Sequence, residues 1–174
     1  MKSTDEDRIT DALAYNSADL LHYFERRTPS GDAADLLAEC MMVAWQRVGD
    51  LPSEATGARM WLFGIARNVL LNAERAERRR WRLANKLRML TFHGPAPSAD
   101  TGNEVRDAVD RLPDELSELV RMVHWDGFTI AESAALLGVT ASTARTRYQR
   151  ARALLKACLN VDTTPTASPV PAQH

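Results

Sequence analysis

Arg145, Arg147 and Arg150 are interleaved with Ser142, Thr146 and Gln149 in a segment that also carries a regular apolar pattern. Guanidinium groups hold phosphate, and hydroxyl and carboxamide side chains hydrogen-bond base edges, so these residue types offer nucleic-acid recognition. At 100° per residue Ser142, Thr146 and Gln149 share one side of a helix. Ala144, Tyr148, Ala151, Leu155 and Cys158 share the opposite side at 3.6-residue spacing. Every charged residue between Arg145 and Lys156 is basic, which suits phosphate better than it suits an internally salt-bridged helix. Taken alone, the pattern also fits a solvated surface helix.

A second set lies earlier in the chain. Asn68, Asn72, Arg75 and Arg79 align as a narrow helical stripe, and Arg75, Arg78, Arg79, Arg80, Arg82, Lys86 and Arg88 form a basic block. Carboxamides can pair with an exposed base edge while arginines hold the backbone beside it. A polar border between core and solvent, neutralised by Glu74 and Glu77, fits the same spacing.

Catalytic chemistry has no comparable signature. Gly-rich phosphate loops, nucleophile elbows and HExxH motifs are absent, and His22, His93, His124 and His174 are scattered through the chain. Cys40 and Cys158 stand apart with no metal-ligand spacing, and both read as small buried hydrophobes. The expectation is a binding protein that is not an enzyme, with no catalytic residue, metal or cofactor.

The elements that must carry these faces are helical. The 3.6-residue pattern predicts helices over residues 7–15, 17–27, 32–48 and 58 to about 86, then 104–111, one opened by Pro113, and a pair within 127–159. In the pair, Thr129 and Thr140 are expected as caps and Gly138 as the turn, the layout of a helix-turn-helix with Ile130, Ala134 and Leu137 inward. The 32–48 helix is expected to bury Leu36, Leu37, Cys40, Ala44 and Trp45. The long helix is expected to bury Trp61, Leu62, Ile65, Ala66 and Val69.

Across 174 residues, 45% hydrophobic and 26% charged content are those of a globular chain. The net charge of −1 conceals segregation, with acids crowded near residues 5–11 and 104–118. Residues 91–103 are rich in Pro, Gly and small polar residues, and residues 161–174 are proline-rich and nearly uncharged. The expected fold is therefore all-α, with two small helical domains (1–90 and 104–160), a flexible linker (91–103) and a disordered tail (161–174). The amino terminus lacks an apolar signal-like run and no segment is long and apolar enough for a membrane span, so a cytoplasmic location without membrane insertion is expected.

The stretches DAADLLAE (32–39), Ala44-Trp45 and WLFGIARN (61–68) resemble the sigma-2 domain of the extracytoplasmic-function (ECF) bacterial sigma factors. Arg111-Leu112-Pro113, WDGFT (125–129), Leu137-Gly138, TARTR (143–147) and Arg150-Ala151-Arg152 resemble their sigma-4 domain. The resemblance covers nearly all of the chain outside the linker and tail. It implies a factor that binds core RNA polymerase and directs it to promoter DNA. Asp35, Leu36 and Glu39 would meet the clamp helices of the largest subunit, and the second-largest subunit's flap would be a further contact. Asn68, Asn72, Arg75, Arg78, Arg79 and Arg80, with the loop at residues 51–57, would take unstacked bases of the minus 10 element. Ser142, Thr143, Arg145, Thr146, Arg147, Gln149 and Arg150 would read the minus 35 element. The linker would thread toward the polymerase active-site channel, and an anti-sigma factor is a further candidate partner.

The chain departs from the family pattern at Ala38 and Met41, where Gln and Phe are usual, and at Ser133 in place of an aliphatic residue. The helix before the family's usual amino terminus is expected to be short or absent. A stand-alone helix-turn-helix regulator and a protein-interaction module that keeps only polymerase contacts are the competing readings.

Overall fold

The computed structural model describes residues 2–28, 31–88 and 104–161. The linker 91–103 and the tail beyond residue 161 lie outside the described residues, as do the side chains of Lys86 and Arg88. Seven α-helices are present among the described residues, with no strand, as an all-α fold requires. They are α1 (Lys2–Glu25), α2 (Ala33–Gln46), α3 (Ala55–Arg88), α4 (Glu104–Asp110), α5 (Asp114–His124), α6 (Ile130–Leu137) and α7 (Ala141–Val161), with a single 3₁₀ turn at Val48–Asp50. The chain divides into two compact units, Met1–Pro97 and Ser98–His174.

In the first unit, α1 corrects the expectation of two short helices. Asn16 and Ser17, which favour turns when their side chains compete for the backbone, lie inside one continuous helix. The Asn16 side chain donates to the Ala12 carbonyl at 2.8 Å and accepts from Arg59 of α3 at 3.3 Å. A bond within the helix and a tertiary one thus satisfy both ends of the Asn16 amide. Ile9, Leu20, Tyr23 and Phe24 of α1 pack with Cys40 and Ala44 of α2 and with Leu62, Phe63, Ala66 and Val69 of α3. Tyr23 meets Phe24 and Phe63 edge to face, each pair with ring centroids 5.5 Å apart.

Two expected core tryptophans lie elsewhere. Trp45 is 46% exposed and Trp61 is half-buried. Ala33, Leu36, Cys40 and Ala44 form the buried stripe of α2, and Trp45 lies one residue, or 100°, beyond it. Leu37 is also only half-buried.

In the second unit, Val109, Leu112, Leu116, Val120 and Ala151 form one cluster, and Leu119, Ala134 and Ala144 form another. Pro113 precedes α5 with φ −52°, a value its ring favours. Thr129 and Glu132 close a capping box on α6, and Gly138 ends that helix at φ +68°, where a Cβ is disfavoured. Ser133 is fully buried and donates to the Thr129 carbonyl at 2.9 Å, so the hydroxyl standing in place of an aliphatic chain is satisfied. Cys158 is exposed, contrary to the expectation of a buried thiol. There α4 and α7 leave an open recess of about 470 Å³ that Cys158 and Ala108 line.

Candidate nucleic-acid interface

The second helix of the helix-turn-helix is α7, and its seating follows from two alanines. Ala144 and Ala151, seven residues apart, have no exposed surface and pack into the clusters of α4, α5 and α6, with Tyr148 and Leu155 of α7 partly buried against the same clusters. Thr140 starts the helix: its Oγ accepts the Thr143 backbone N–H at 3.1 Å and bonds the Thr143 hydroxyl at 2.9 Å. With the buried stripe turned inward, Ser142, Thr143, Arg145, Thr146, Gln149 and Arg150 are all exposed. Thr146 donates to the Ser142 carbonyl at 3.1 Å, which leaves its oxygen able to accept from a base amino group.

Arg147 differs from its neighbours. It is half-buried, and its guanidinium lies 2.6 Å from the Glu115 carboxylate in the first turn of α5. Among the described residues, Arg145 and Arg150 carry no such ion pair. On the same helix Tyr148 stacks on His124 at 5.8 Å between ring centroids, and its hydroxyl lies 2.8 Å from His124 Nε2. Glu115 and His124 therefore brace α7. Neither has a local sequence signal, because each partner lies more than twenty residues away.

On α3, Asn68, Asn72, Arg75, Arg79 and Arg80 are exposed, as the helical stripe requires. Arg78 lies 3.4 Å from Glu74, one turn earlier, so part of the basic block is neutralised within the helix. An open groove of about 630 Å³ runs between α2 and α3, and Asp35, Glu39, Asn72 and Arg79 all line it. The acids of one expected site and the stripe of the other thus border one groove. Leu36 lines its floor but is only 8% exposed, so its side chain serves the α2 core more than the surface. Asp35 and Glu39 are exposed.

Residues 51–54 join the 3₁₀ turn to α3, so the expected loop 51–57 ends earlier: residues 55–57 form the first turn of α3, whose Ala58 N–H donates to the Glu54 carbonyl. Leu51 is buried, and residues 53–56 are exposed. Beneath α2, Cys40 is buried beside the Leu62 carbonyl at 3.9 Å. Burial, and then the Glu39 carboxylate, push its thiol pKa from 9.0 up to about 12. Among the described residues no group of His, Cys, Asp and Glu is assembled as a metal site.

A helix-turn-helix unit with an exposed basic reading face, preceded by a three-helix unit with an Asn/Arg stripe, defines a two-unit DNA-binding protein. Comparison with known proteins narrows the class. Residues 13–80 match the family description "Sigma-70 region 2", and residues 102–155 match "Sigma-70, region 4". The ECF RNA polymerase sigma factor SigL of Mycobacterium tuberculosis (strain H37Rv) is 32% identical over 156 residues, covering 83% of this chain and 84% of SigL. The ECF RNA polymerase sigma factor EcfG of Rhodopseudomonas palustris is 32% identical over 134 residues, covering 75% of this chain and 72% of EcfG. Two solved structures share the fold at 22% identity. CnrH in complex with the cytosolic domain of CnrY has TM-score 0.63 and 91% of each chain covered. RpoE in complex with the anti-sigma factor NepR, from Bartonella quintana, has TM-score 0.59 and covers 93% of this chain and 99% of its own. The chain belongs to the ECF RNA polymerase sigma factors. It is a transcription initiation factor that binds core RNA polymerase and directs it to promoters. No described helix is long and apolar enough to cross a membrane.

Proposed function

We propose that the two units divide promoter recognition between them, residues 1–90 acting at the minus 10 element and residues 104–160 at the minus 35 element. The observation that carries this reading is the pair of exposed polar and basic helix faces in two separate units, on α3 and α7. The α7 face enters the major groove with Ser142, Arg145, Thr146 and Gln149 toward the bases and with Thr143 and Arg150 toward phosphates, while Arg147, held by Glu115, stands at the edge of that face. Asn68 and Asn72 hydrogen-bond bases that have left the stack, Arg75, Arg78, Arg79 and Arg80 hold the strand, and the exposed part of the segment 51–57 receives an unpaired base. Asp35 and Glu39 pair with basic residues of the polymerase clamp helices, with Leu36 shaping the helix behind them.

The chain acts in the cytoplasm and leaves phosphodiester chemistry to the polymerase. An anti-sigma factor covering part of these faces is a further partner, supported by the solved relative held by NepR. In vitro transcription with core enzyme tests the whole reading. Wild type should give promoter-specific start sites, and Arg145→Ala and Gln149→Ala should each reduce them without loss of fold. Unchanged start-site use by both variants would refute the α7 assignment, and tight duplex binding without core would favour a stand-alone regulator.

A further inference from the structure

We infer that Arg8 of α1 is a positioning residue for promoter opening, holding the segment 51–57, which is the loop 51–54 and the first turn of α3, in the form that receives an unpaired base. The inference rests on the base-capture reading of that loop. Connecting loops lack a ladder of backbone hydrogen bonds and owe their order to whatever grips them. Here the grip is specific. One guanidinium nitrogen, Nη2 of Arg8, donates to two consecutive carbonyls, Leu51 and Pro52, each at 3.2 Å. Nη1 lies 3.4 Å from Asp5 Oδ1, which orients the fork from its own helix. Two successive carbonyls turned toward one donor fix the orientation of both peptide planes at the entry to the loop.

The loop is also closed on itself and tethered at its far end. A Cβ added to Gly57 would lie 3.0 Å from Pro52 Cβ, so glycine lets the first turn of α3 pass against the start of the loop. Arg59, two residues on, donates to Asp19 at 2.6 Å and to Asn16 at 3.3 Å. The entry to the loop and the start of α3 are therefore both held by α1, from residues 40 to 44 positions away in sequence. Between them, residues 53–56 are all exposed and include the Ser53 and Thr56 hydroxyls, which both donate and accept.

Arg8 is partly exposed, and partly exposed polar contacts add little to global stability. Its effect is on loop order. A loop already ordered when a base arrives loses less conformational freedom on capture, which favours opening. Arg8 touches no DNA in this scheme and acts through the loop backbone.

The test uses the full chain in holoenzyme, on a promoter obtained by mapping start sites of the wild-type enzyme. Wild type, Arg8→Ala, Arg8→Lys and the double variant Ser53→Ala/Thr56→Ala are compared on duplex template and on template premelted at the minus 10 region. Arg8→Ala should lower duplex transcription about tenfold yet stay within about twofold of wild type on the premelted template, with Arg8→Lys between them. Amide exchange at residues 53–57 should speed up in Arg8→Ala while the thermal midpoint holds. Wild-type transcription and exchange by Arg8→Ala, or an equal loss on both templates, would overturn the positioning role. An impaired Ser53/Thr56 variant beside an unaffected Arg8→Ala would leave the loop reading standing, whereas an unaffected Ser53/Thr56 variant would remove that reading itself.

Discussion

The Arg147 guanidinium on the reading helix lies 2.6 Å from the Glu115 carboxylate on α5. A cation on the helix proposed to meet the major groove is thus engaged inside the protein. Replacing Glu115 by Gln releases Arg147 toward phosphate while keeping the shape of its neighbour. Each additional phosphate contact steepens the dependence of log K on log salt by about 0.9, so Glu115→Gln should bind promoter DNA more tightly at low salt and with a slope steeper by about that amount. Salt titration of holoenzyme binding checks this. An unchanged slope would assign Arg147 to bracing the helix alone.

Asp35 and Glu39 are exposed on the α2 side of the groove that Asn72 and Arg79 line from α3. Removing both acids should weaken competition for core polymerase about tenfold at low salt, and less at high salt, where exposed charges are screened. Equal competition by Asp35→Ala/Glu39→Ala and wild type would exclude this edge from docking.

Cys40 gives the chain a pH dependence of known sign. Its thiol pKa is raised in the folded state, to about 12 from 9.0. The buried protonated thiol therefore contributes stability in full below pH 9.0, and that contribution is lost as pH rises from 9.0 toward about 12, because the unfolded chain releases the proton first. Urea midpoints should fall faster with alkali in wild type than in Cys40→Ala; parallel curves would contradict this. In native protein a thiol reagent should label the exposed Cys158 and spare Cys40.

The Thr129 and Glu132 capping box satisfies backbone donors at the start of α6, the first helix of the helix-turn-helix. Thr129→Ala should cost about 1 kcal/mol. For a unit of this size that corresponds to a melting midpoint lower by roughly 4–8 °C. A midpoint within one degree or so of wild type, on calorimetry, would mean that water replaces the cap at no cost.

Much of the helical organisation was legible along the chain because its signals are local. Thr129, Gly138 and Thr140 act within four residues of the helix ends they govern, and the inward stripe of α7 repeats at the helical period. The exposed reading face followed from the same period. Other features carried the wrong local signal: Asn16-Ser17 reads as a break, Trp45 as core and Cys158 as a buried thiol.

Sequence by itself determined which side chains share a helix face, where most of the helices end, and which faces gather polar and basic residues. Periodicity and capping are set between residues at most four or so apart, and a linear reading recovers them. Only the tertiary structure showed that α1 runs unbroken past Asn16, whose side-chain oxygen accepts from Arg59, 43 residues away. It alone showed that Arg147 is paired with Glu115 and that Arg8 grips the carbonyls of Leu51 and Pro52. Those contacts depend on which helices pack together and at what angle. Helix packing depends on the fit of whole apolar surfaces, so pairings made across it leave no spacing in the sequence to find.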